Sequence, residues 1–371
     1  MQSSHRITSS RGIVAVIASV LLAGCSGAAP SSEATDPPAP SASVVDTTAA
    51  PTTTEPAPVR AIDTVPTPEA STVDALLALD RPIVIAHAGG DFDAPHSTMY
   101  AYTRAALAGT DVLEMDVMLT ADGVLVVHHD DTVDRTTNAT GKVRDFTYDE
   151  LGALDNAYWF SGDTWSNKDL PDTAYPLRGI RTGDTPAPDG YSTDDFRVET
   201  FRSVAEAFPN HVLDIEIKIP TGADGTDDIA WGIEGAKQLA LEIEELGRTD
   251  SVIVVSFDVD VIAAFHSFAP DVATSPGLAT LVTWYTGGAV EFAPTDVVFQ
   301  VPPFYSGLEV LTPDVLARAA ADGFGVWVWM DDTSTQENSA FYADLLGRGI
   351  DGLLVSKPAL AVQSVADHTA G

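Results

Sequence analysis

The sequence predicts an α/β fold built on a parallel sheet. Short runs rich in Val, Ile and Leu alternate along the chain with amphipathic stretches of helical length, which is the pattern of strand–helix–strand units. Several of these runs end directly in histidine, glycine or acidic residues, and the carboxyl ends of parallel strands are where such folds carry their chemistry. The segment 72–366 is long enough for one large barrel or two smaller domains.

Residues 1–24 are expected to form a lipoprotein signal peptide. Positive residues precede an apolar core at 12–22, which is too short to span a bilayer as a mature anchor. The core leads into Leu-Ala-Gly-Cys ending at Cys25, which resembles the lipobox of bacterial lipoprotein precursors. We therefore expect acylation of Cys25, the only cysteine in the chain, and a lipid anchor on the extracytoplasmic side of the membrane, in the cell envelope.

Residues 25–71 consist mainly of Pro, Ala, Ser and Thr. Such a segment cannot bury enough apolar surface to offset the entropy of ordering, so we expect a disordered tether between the anchor and the folded domain. The chain carries 54 acidic against 19 basic residues, a formal net charge of −35. Binding to a phosphate backbone needs basic patches, so this charge argues against nucleic acid as a partner.

Nine runs are candidate strands, whereas a closed eight-stranded barrel has eight places. They are 83–86, 111–116, 124–127, 211–220, 251–257, 276–278, 297–301, 325–330 and 352–355. The link from 116 to 124 is too short for the helical crossover between two parallel strands. The start of the barrel is therefore irregular at its second and third strands, or one candidate lies outside the barrel.

Helices are expected at 72–79, 98–107, 197–208, 229–246, up to 268, and at 312–321. The helix that ends at 107 has Ser97 or Thr98 as its N-cap and Gly109 as its terminator. The segment from about 138 to 195 is predicted to be an inserted loop region, because such long irregular segments are unusual in a compact domain. Its aromatic residues either line a substrate mouth or pack a small core of their own.

The strand at 111–116 carries two carboxylates, Glu114 and Asp116, within an apolar run. Alternate side chains of a strand share a face, so both project to the same side. Like charges this close repel each other and lose solvation unless a positive group lies between them, and Ca²⁺ or Mg²⁺ takes such oxygen ligands. The next apolar run ends in His128 and His129. The alternative is a surface hairpin with a solvated acidic rim.

Two further strands bring polar residues to a strand end or an inward face. His87 directly follows the first strand, and the strand at 211–220 alternates, with Asp214, Glu216 and Lys218 on one face. If that face points into a barrel, Glu216 completes a cation site, and Lys218 meets a phosphate or pairs with Glu216. Otherwise this strand is a surface edge with a salt-bridged face.

From 83 to 358 the chain resembles the glycerophosphodiester phosphodiesterases. No single motif is specific to that family, but the motifs together are. They are His87 with Gly89-Gly90, the helix start at 95–98, Glu114-Met115-Asp116, the turn at 120–123, His129-Asp130 with Arg135-Thr136-Thr137, Glu216-Ile217-Lys218, Ser256-Phe257, Trp329 and Gly349-Ile350-Asp351-Gly352.

The resemblance implies a (β/α)₈ TIM-type barrel. It implies an enzyme that hydrolyses small-molecule glycerophosphodiesters to glycerol phosphate and an alcohol. It further implies a divalent cation, Ca²⁺ or Mg²⁺, held by Glu114, Asp116 and Glu216, with His87 and His129 as general acid and base. The expected substrate contacts are Lys218, Arg135 and Trp329.

Some positions depart from the family pattern. Ala88 stands where the family has a phosphate-facing arginine, and His96 and Ser97 stand where it has glutamate and asparagine. A protonated His96 could partly compensate for the arginine. Two alternatives stay open: a related barrel phospholipase or lyase acting on intact lipid, which an apolar rim would favour, and a tethered, weakly active protein that binds an envelope phosphodiester. His128 is expected to face away from His129 and to be dispensable for chemistry.

Overall fold

The computed structural model describes residues 59–162 and 166–371. The predicted signal peptide, Cys25 and most of the predicted tether lie outside the described residues. Within the described part of the chain, no helix combines the length and the apolar character needed to cross a membrane.

The strands begin at Ile83 and end at Val355. In chain order they are β1 Ile83–Ala86, β2 Val112–Leu119, β3 Leu125–Val127, β4 Glu199–Thr200, β5 Val212–Ile217, β6 Val252–Val255, β7 Ala273–Thr274, β8 Val298–Val301, β9 Phe304–Tyr305, β10 Leu308–Glu309, β11 Gly325–Trp329 and β12 Gly352–Val355.

Eight of these strands form a nearly closed parallel barrel. Their order is β7-β6-β5-β2-β1-β12-β11-β8, and every neighbouring pair runs parallel. The two end strands meet through a parallel bridge between Thr274 and Asp296. There Thr274 N donates to Thr295 O at 2.8 Å and Val297 N donates to Thr274 O at 2.9 Å. The (β/α)₈ barrel expected from the sequence is therefore confirmed.

Of the nine candidate strands, the one at 124–127 lies outside the barrel. As β3 it runs antiparallel to β2 and to β4, so the chain turns back on itself above the barrel rim. The candidate at 276–278 was wrong, because the seventh strand is the two-residue β7, which ends before Pro276. Proline has no N–H to donate to a sheet ladder, which explains why pairing stops ahead of it.

The helices mostly surround the barrel. They are α1 Val73–Leu77, α2 Met99–Ala108, α3 Tyr148–Gly152, α4 Phe201–Ala207, α5 Ile229–Glu245, α6 Val259–Phe268, α7 Leu278–Tyr285, α8 Pro313–Asp322, α9 Thr333–Gln336, α10 Ser339–Arg348 and α11 Pro358–Ala370. Thr98 caps α2, accepting from Ala101 N at 3.1 Å, and Gly109 ends it with φ 89°. The helix expected at 197–208 begins only at Phe201, since the two residues of β4 pair with β3 instead.

The inner side of the barrel is apolar near the amino ends of the strands. Ile83, Val112, Val212, Ile253 and Trp327 pack there in one buried cluster. Burial of such side chains stabilises the fold by about 25 cal/mol per Å² of apolar surface removed from water. The polar residues that face inward come after these apolar residues along their strands, so the polar groups lie toward the carboxyl end of the barrel.

The end of the predicted tether belongs to the folded domain. Residues 61–64 form a 3₁₀ turn, in which Ala61 N donates to Gly190 O at 2.9 Å, and Arg60 Nη2 donates to Asp195 at 2.5 Å. The expectation of disorder up to residue 71 was therefore wrong for these residues. Composition alone could not predict this contact, because the partner residues lie more than a hundred positions away in the sequence.

Three aromatic residues of the region 138–195 pack around one arginine. The guanidinium carbon of Arg178 lies 4.3 Å from the ring centre of Tyr158, 4.6 Å from that of Trp159 and 3.9 Å from that of Tyr175. These cation–π contacts make a small core within the region itself. None of these aromatic side chains lines the large cavity at the barrel mouth.

Candidate functional site

The carboxyl end of the barrel gathers most of the predicted site residues around one cavity of about 430 Å³. The register pairs Asp116 of β2 with Glu216 of β5, which places the acidic residues of these two strands side by side. The predicted site residues that line the cavity are His87, Glu114, His129, Glu216, Lys218 and Trp329. Asp116 lies behind them and is 1% exposed, and Arg135 is not on the cavity wall.

His87 begins a tight turn that follows β1. Ala88, Gly89 and Gly90 all have positive φ, and a Cβ at Gly89 would lie 2.9 Å from the Cβ of Ala101, so only glycine fits there. The turn aims the Ala88 N–H at Glu114, to which it donates at 2.6 Å. His87 Nδ1 lies 3.2 Å from Asp91 Oδ1. Burial alone would lower the pKa of His87, but the carboxylates, chiefly Asp91, raise it to about 10.

His129 reaches the site from the antiparallel strand β3 rather than from a barrel strand. His128 N donates to Asp116 O at 2.9 Å, which extends the pairing of β3 and sets the register of the two histidines. The ring centres of His129 and His87 lie 5.4 Å apart, edge to face. His128 is fully buried on the other side, with Nε2 3.2 Å from Thr132 O, and burial lowers its pKa to about 4.

A chain of hydrogen bonds stands behind His129. Its Nδ1 lies 2.8 Å from Asp130 Oδ1, and Arg135 donates to both oxygens of Asp130 at 2.6 and 3.0 Å. These partners outweigh burial and hold the pKa of Asp130 far below its usual range. Arg135 therefore braces the partner of His129 in this structure, and its predicted substrate contact stays a prediction.

His96 does not replace the family arginine as a cation. Its ring is buried and lies 5.4 Å from that of His128, and Arg135 Nη2 donates to His96 Nε2 at 3.1 Å. Burial and then the charge of Arg135 lower the pKa of His96 well below its usual value. A neutral ring that accepts a hydrogen bond from arginine offers no positive charge to a phosphate, so compensation by a protonated His96 is wrong.

The carboxylates surround the ammonium group of Lys218. Lys218 Nζ lies 2.9 Å from Asp116 Oδ1 and 3.0 Å from Glu216 Oε2. Burial alone would lower the pKa of Lys218, but the two carboxylates raise it. Burial and then the charge of Asp116 raise the pKa of Glu114 well above its usual value, whereas the pKa of Asp116 falls to about 2, because Lys218 and the two histidines outweigh its burial. More carboxyl groups are therefore gathered here than one lysine can pair with.

The same residues suit a divalent cation in chemistry, although their side chains are not arranged around one. Within 59–162 and 166–371, no three His, Cys, Asp or Glu side chains are placed to hold a metal ion. Both Asp116 carboxylate oxygens nevertheless lack a hydrogen-bond donor of suitable geometry among the described residues, and Lys218 meets one of them as an ion pair. Asp116 Oδ2 is thus a buried oxygen without a partner among the described residues, and beside two more carboxylates it is the kind of ligand that Ca²⁺ and Mg²⁺ take.

The sequence analysis assigned no role to three acidic residues of this site, although it placed Asp214 on the same face as Glu216 and Lys218. Asp91 is the hydrogen-bond partner of His87, and its only signal was its position shortly after that histidine. Asp214 lies inside the barrel, where Gln300 Nε2 donates to it at 2.8 Å and burial raises its pKa to about 7. Glu337 is a buried acid on the cavity wall that accepts from Ser356 N at 2.8 Å. Its position in the loop after β11 gave no signal in the sequence.

Comparisons with known proteins identify the family of the chain. A family model described as "Glycerophosphoryl diester phosphodiesterase family" matches residues 87–360. A glycerophosphodiester phosphodiesterase of Caldanaerobacter subterraneus is 28% identical over 288 residues, which is 77% of this chain and 98% of that protein.

Solved structures share the fold. A putative glycerophosphoryl diester phosphodiesterase from Silicibacter pomeroyi has a TM-score of 0.58 at 20% identity, covering 81% of this chain and 98% of that one. An Oleispira antarctica phosphodiesterase, in complex with the product sn-glycerol-3-phosphate, has a TM-score of 0.55 at 19% identity, covering 77% and 97%. With the family match extending from His87 past the last barrel strand, the chain belongs to the glycerophosphoryl diester phosphodiesterase family and is a phosphoric diester hydrolase.

Proposed function

We propose that the protein hydrolyses glycerophosphodiesters to glycerol phosphate and an alcohol, by acid–base catalysis with two histidines beside a cation site. The observation that carries this proposal is the pair of imidazoles, His87 and His129, beside the buried carboxylates Glu114 and Asp116 and the partly buried Glu216 at the carboxyl end of the barrel. The product bound to the Oleispira relative supports the same substrate class.

Glu114, Asp116 and Glu216 would hold the cation. When bound, a divalent cation neutralises the charge of a phosphodiester and the further charge that grows in the transition state. Lys218 keeps its proton between Asp116 and Glu216, and it lines the cavity, so it adds a positive charge on the side of the site that faces the phosphate.

The two histidines would divide the proton transfers. His87 holds a proton through Asp91, and this favours it as the acid that protonates the leaving alcohol. A cation on the neighbouring carboxylates would lessen their effect on His87, whereas Asp91 would remain its partner. His129 would then take the proton from the attacking hydroxyl, with Asp130 and Arg135 orienting its ring.

The test is a panel of glycerophosphodiesters with choline, ethanolamine, glycerol and inositol head groups. We expect release of glycerol phosphate, a phosphate monoester, from at least one of them. A cyclic glycerophosphate as the final product would instead assign the related lyase reaction, in which the neighbouring hydroxyl of glycerol attacks. Binding without any product, at a protein concentration that would reveal slow turnover, would leave the binding protein as the correct alternative.

The location of the protein is a second proposal, and it is carried by the sequence around Cys25. We propose that the mature protein begins at an acylated Cys25 and is held in the cell envelope by this lipid. The Cys25→Ser variant is expected in the medium rather than in the membrane fraction, because serine has no sulfur to form the thioether bond that attaches the lipid. A variant that still sediments with membranes would show that the anchor lies elsewhere, and the unchanged chain is the control.

A further inference from the structure

The large cavity has two chemically different halves. Its polar half contains His87, His129 and the charged groups around Lys218. The remaining wall comes from the ends of β6, β8 and β11, from the inner sides of α7 and α8, and from the hairpin β9–β10, and almost all of these side chains are apolar. A glycerol group and a hydrophilic head group would leave this second half without a partner.

The apolar half continues beyond the barrel interior. Gln300 of β8 points inward, where it donates to Asp214, while Phe299 and Val301 on either side of it point toward the helices. All three line the same cavity, together with Leu281 and Val315 of the surrounding helices. The cavity therefore passes over the carboxyl end of β8 and into the space between this strand, α7 and α8.

The polar atoms of two large aromatic residues in this half are already hydrogen-bonded. Trp284 Nε1 donates to Asp322 at 2.7 Å and Tyr285 Oη donates to Glu309 O at 2.9 Å, so both aromatic residues offer their rings to the cavity. At the mouth, the large hydrophobic residues Tyr305 and Leu308 of the hairpin line the cavity and are 41% and 59% exposed. A wall of this kind recognises hydrocarbon, since it offers little to a polar ligand.

We propose that this apolar half binds the aliphatic chain of a single-chain, monoacyl glycerophosphodiester whose phosphodiester lies at His87 and His129. The inference rests on the proposed function, because the same reaction is catalysed. The oxygen of water bonds to phosphorus, and the bond from phosphorus to the head-group oxygen breaks. A proton from water ends on the released alcohol, and the other product is a monoacylglycerol phosphate.

Chain-length dependence tests the proposal. We use the holoprotein and monoacyl glycerophosphocholines of increasing chain length, each below its micelle concentration, with glycerophosphocholine as the deacylated reference. Each methylene that enters the cavity is expected to raise the affinity, and with it kcat/KM, by about fourfold until the cavity is full. Calorimetric binding to the His129→Ala variant gives the same dependence without turnover.

Filling the apolar half should remove this preference. In Leu281→Trp we expect the ratio of kcat/KM for the longest chain to that for the deacylated substrate to fall at least about tenfold, because the indole takes up space needed by several methylenes. Val315→Trp is the second variant if the first does not fold. Leu241→Trp is the matched control, because Leu241 also lies on a helix but is 47% exposed and does not line the cavity.

The outcomes separate this inference from the proposed function. Affinity and kcat/KM that do not change with chain length, or that fall, would overturn the inference even if glycerophosphocholine is hydrolysed. Equal ratios in Leu281→Trp, Val315→Trp and the control would overturn it as well. Chain-dependent binding without hydrolysis of any substrate would support the aliphatic site and overturn the proposed function instead.

Discussion

Replacing either His87 or His129 by alanine is expected to lower kcat by at least about a hundredfold, which is the usual contribution of a positioned general acid or base. Both side chains face the cavity with their ring centres 5.4 Å apart, and each has an aspartate partner. Because both protons move in one turnover, the double variant should lose little more than either single variant. The measurement is kcat for the three variants and the unchanged protein.

His128→Ala is the matched control for His129→Ala. His128 points away from the cavity and is fully buried, so its loss is expected to lower the melting temperature while leaving the proton transfers in place. His129 is partly exposed, so its loss is expected to cost activity with little change in melting. An inactive, well-folded His128→Ala beside an active His129→Ala would show that the assignment of the site is wrong.

Removing the cation is the second change with a large expected effect. We expect exhaustive chelation to abolish activity and to lower the melting temperature. A cation at a hundredfold excess over its Kd stabilises the protein by about 2.7 kcal/mol, which raises the melting temperature by roughly 4 °C for a domain of this size. Burial raises the pKa of Glu114 in the folded protein. The folded protein without a cation therefore loses stability as the pH rises above the pKa of this residue in the unfolded chain. The loss on chelation should therefore be larger at alkaline than at acidic pH.

Glu114→Gln should reproduce the effect of chelation on activity and should respond little to the chelator. Its control is Glu234→Gln, since the Glu234 side chain is 63% exposed on α5 and does not line the cavity. That variant should behave like the unchanged protein with and without chelator. A protein that stays equally active and equally stable after complete removal of divalent cations would rule out the cation site.

Residues close together in sequence made much of the site predictable. The spacing of Glu114 and Asp116 places both on the same face of one strand whatever the rest of the chain does, and the same holds for Glu216 and Lys218. The position of His87 at the end of a strand was equally predictable, because a short apolar run directly precedes it.

Features that depend on distant partners could not be predicted in this way. The two-residue β7 exists as a strand because β6 and the segment before β8 flank it, so its own sequence carries almost no pattern. Glu337 reaches the cavity through the loop after β11, and the apolar wall joins residues from β6, α7, β8 and α8. Each of these positions follows from the closed barrel and not from local spacing.

The origin of His129 has a consequence for how this enzyme can change. His87 follows the barrel strand β1, whereas His129 follows β3, which lies outside the barrel between β2 and β4. The segment around β3 has a small buried cluster of its own, which includes Met118, Val126 and Val198. The separation of the two imidazoles is thus set where the barrel meets the antiparallel pairing of β3. Substitutions confined to the segment around β3 can therefore change or abolish catalysis while the barrel stays unchanged.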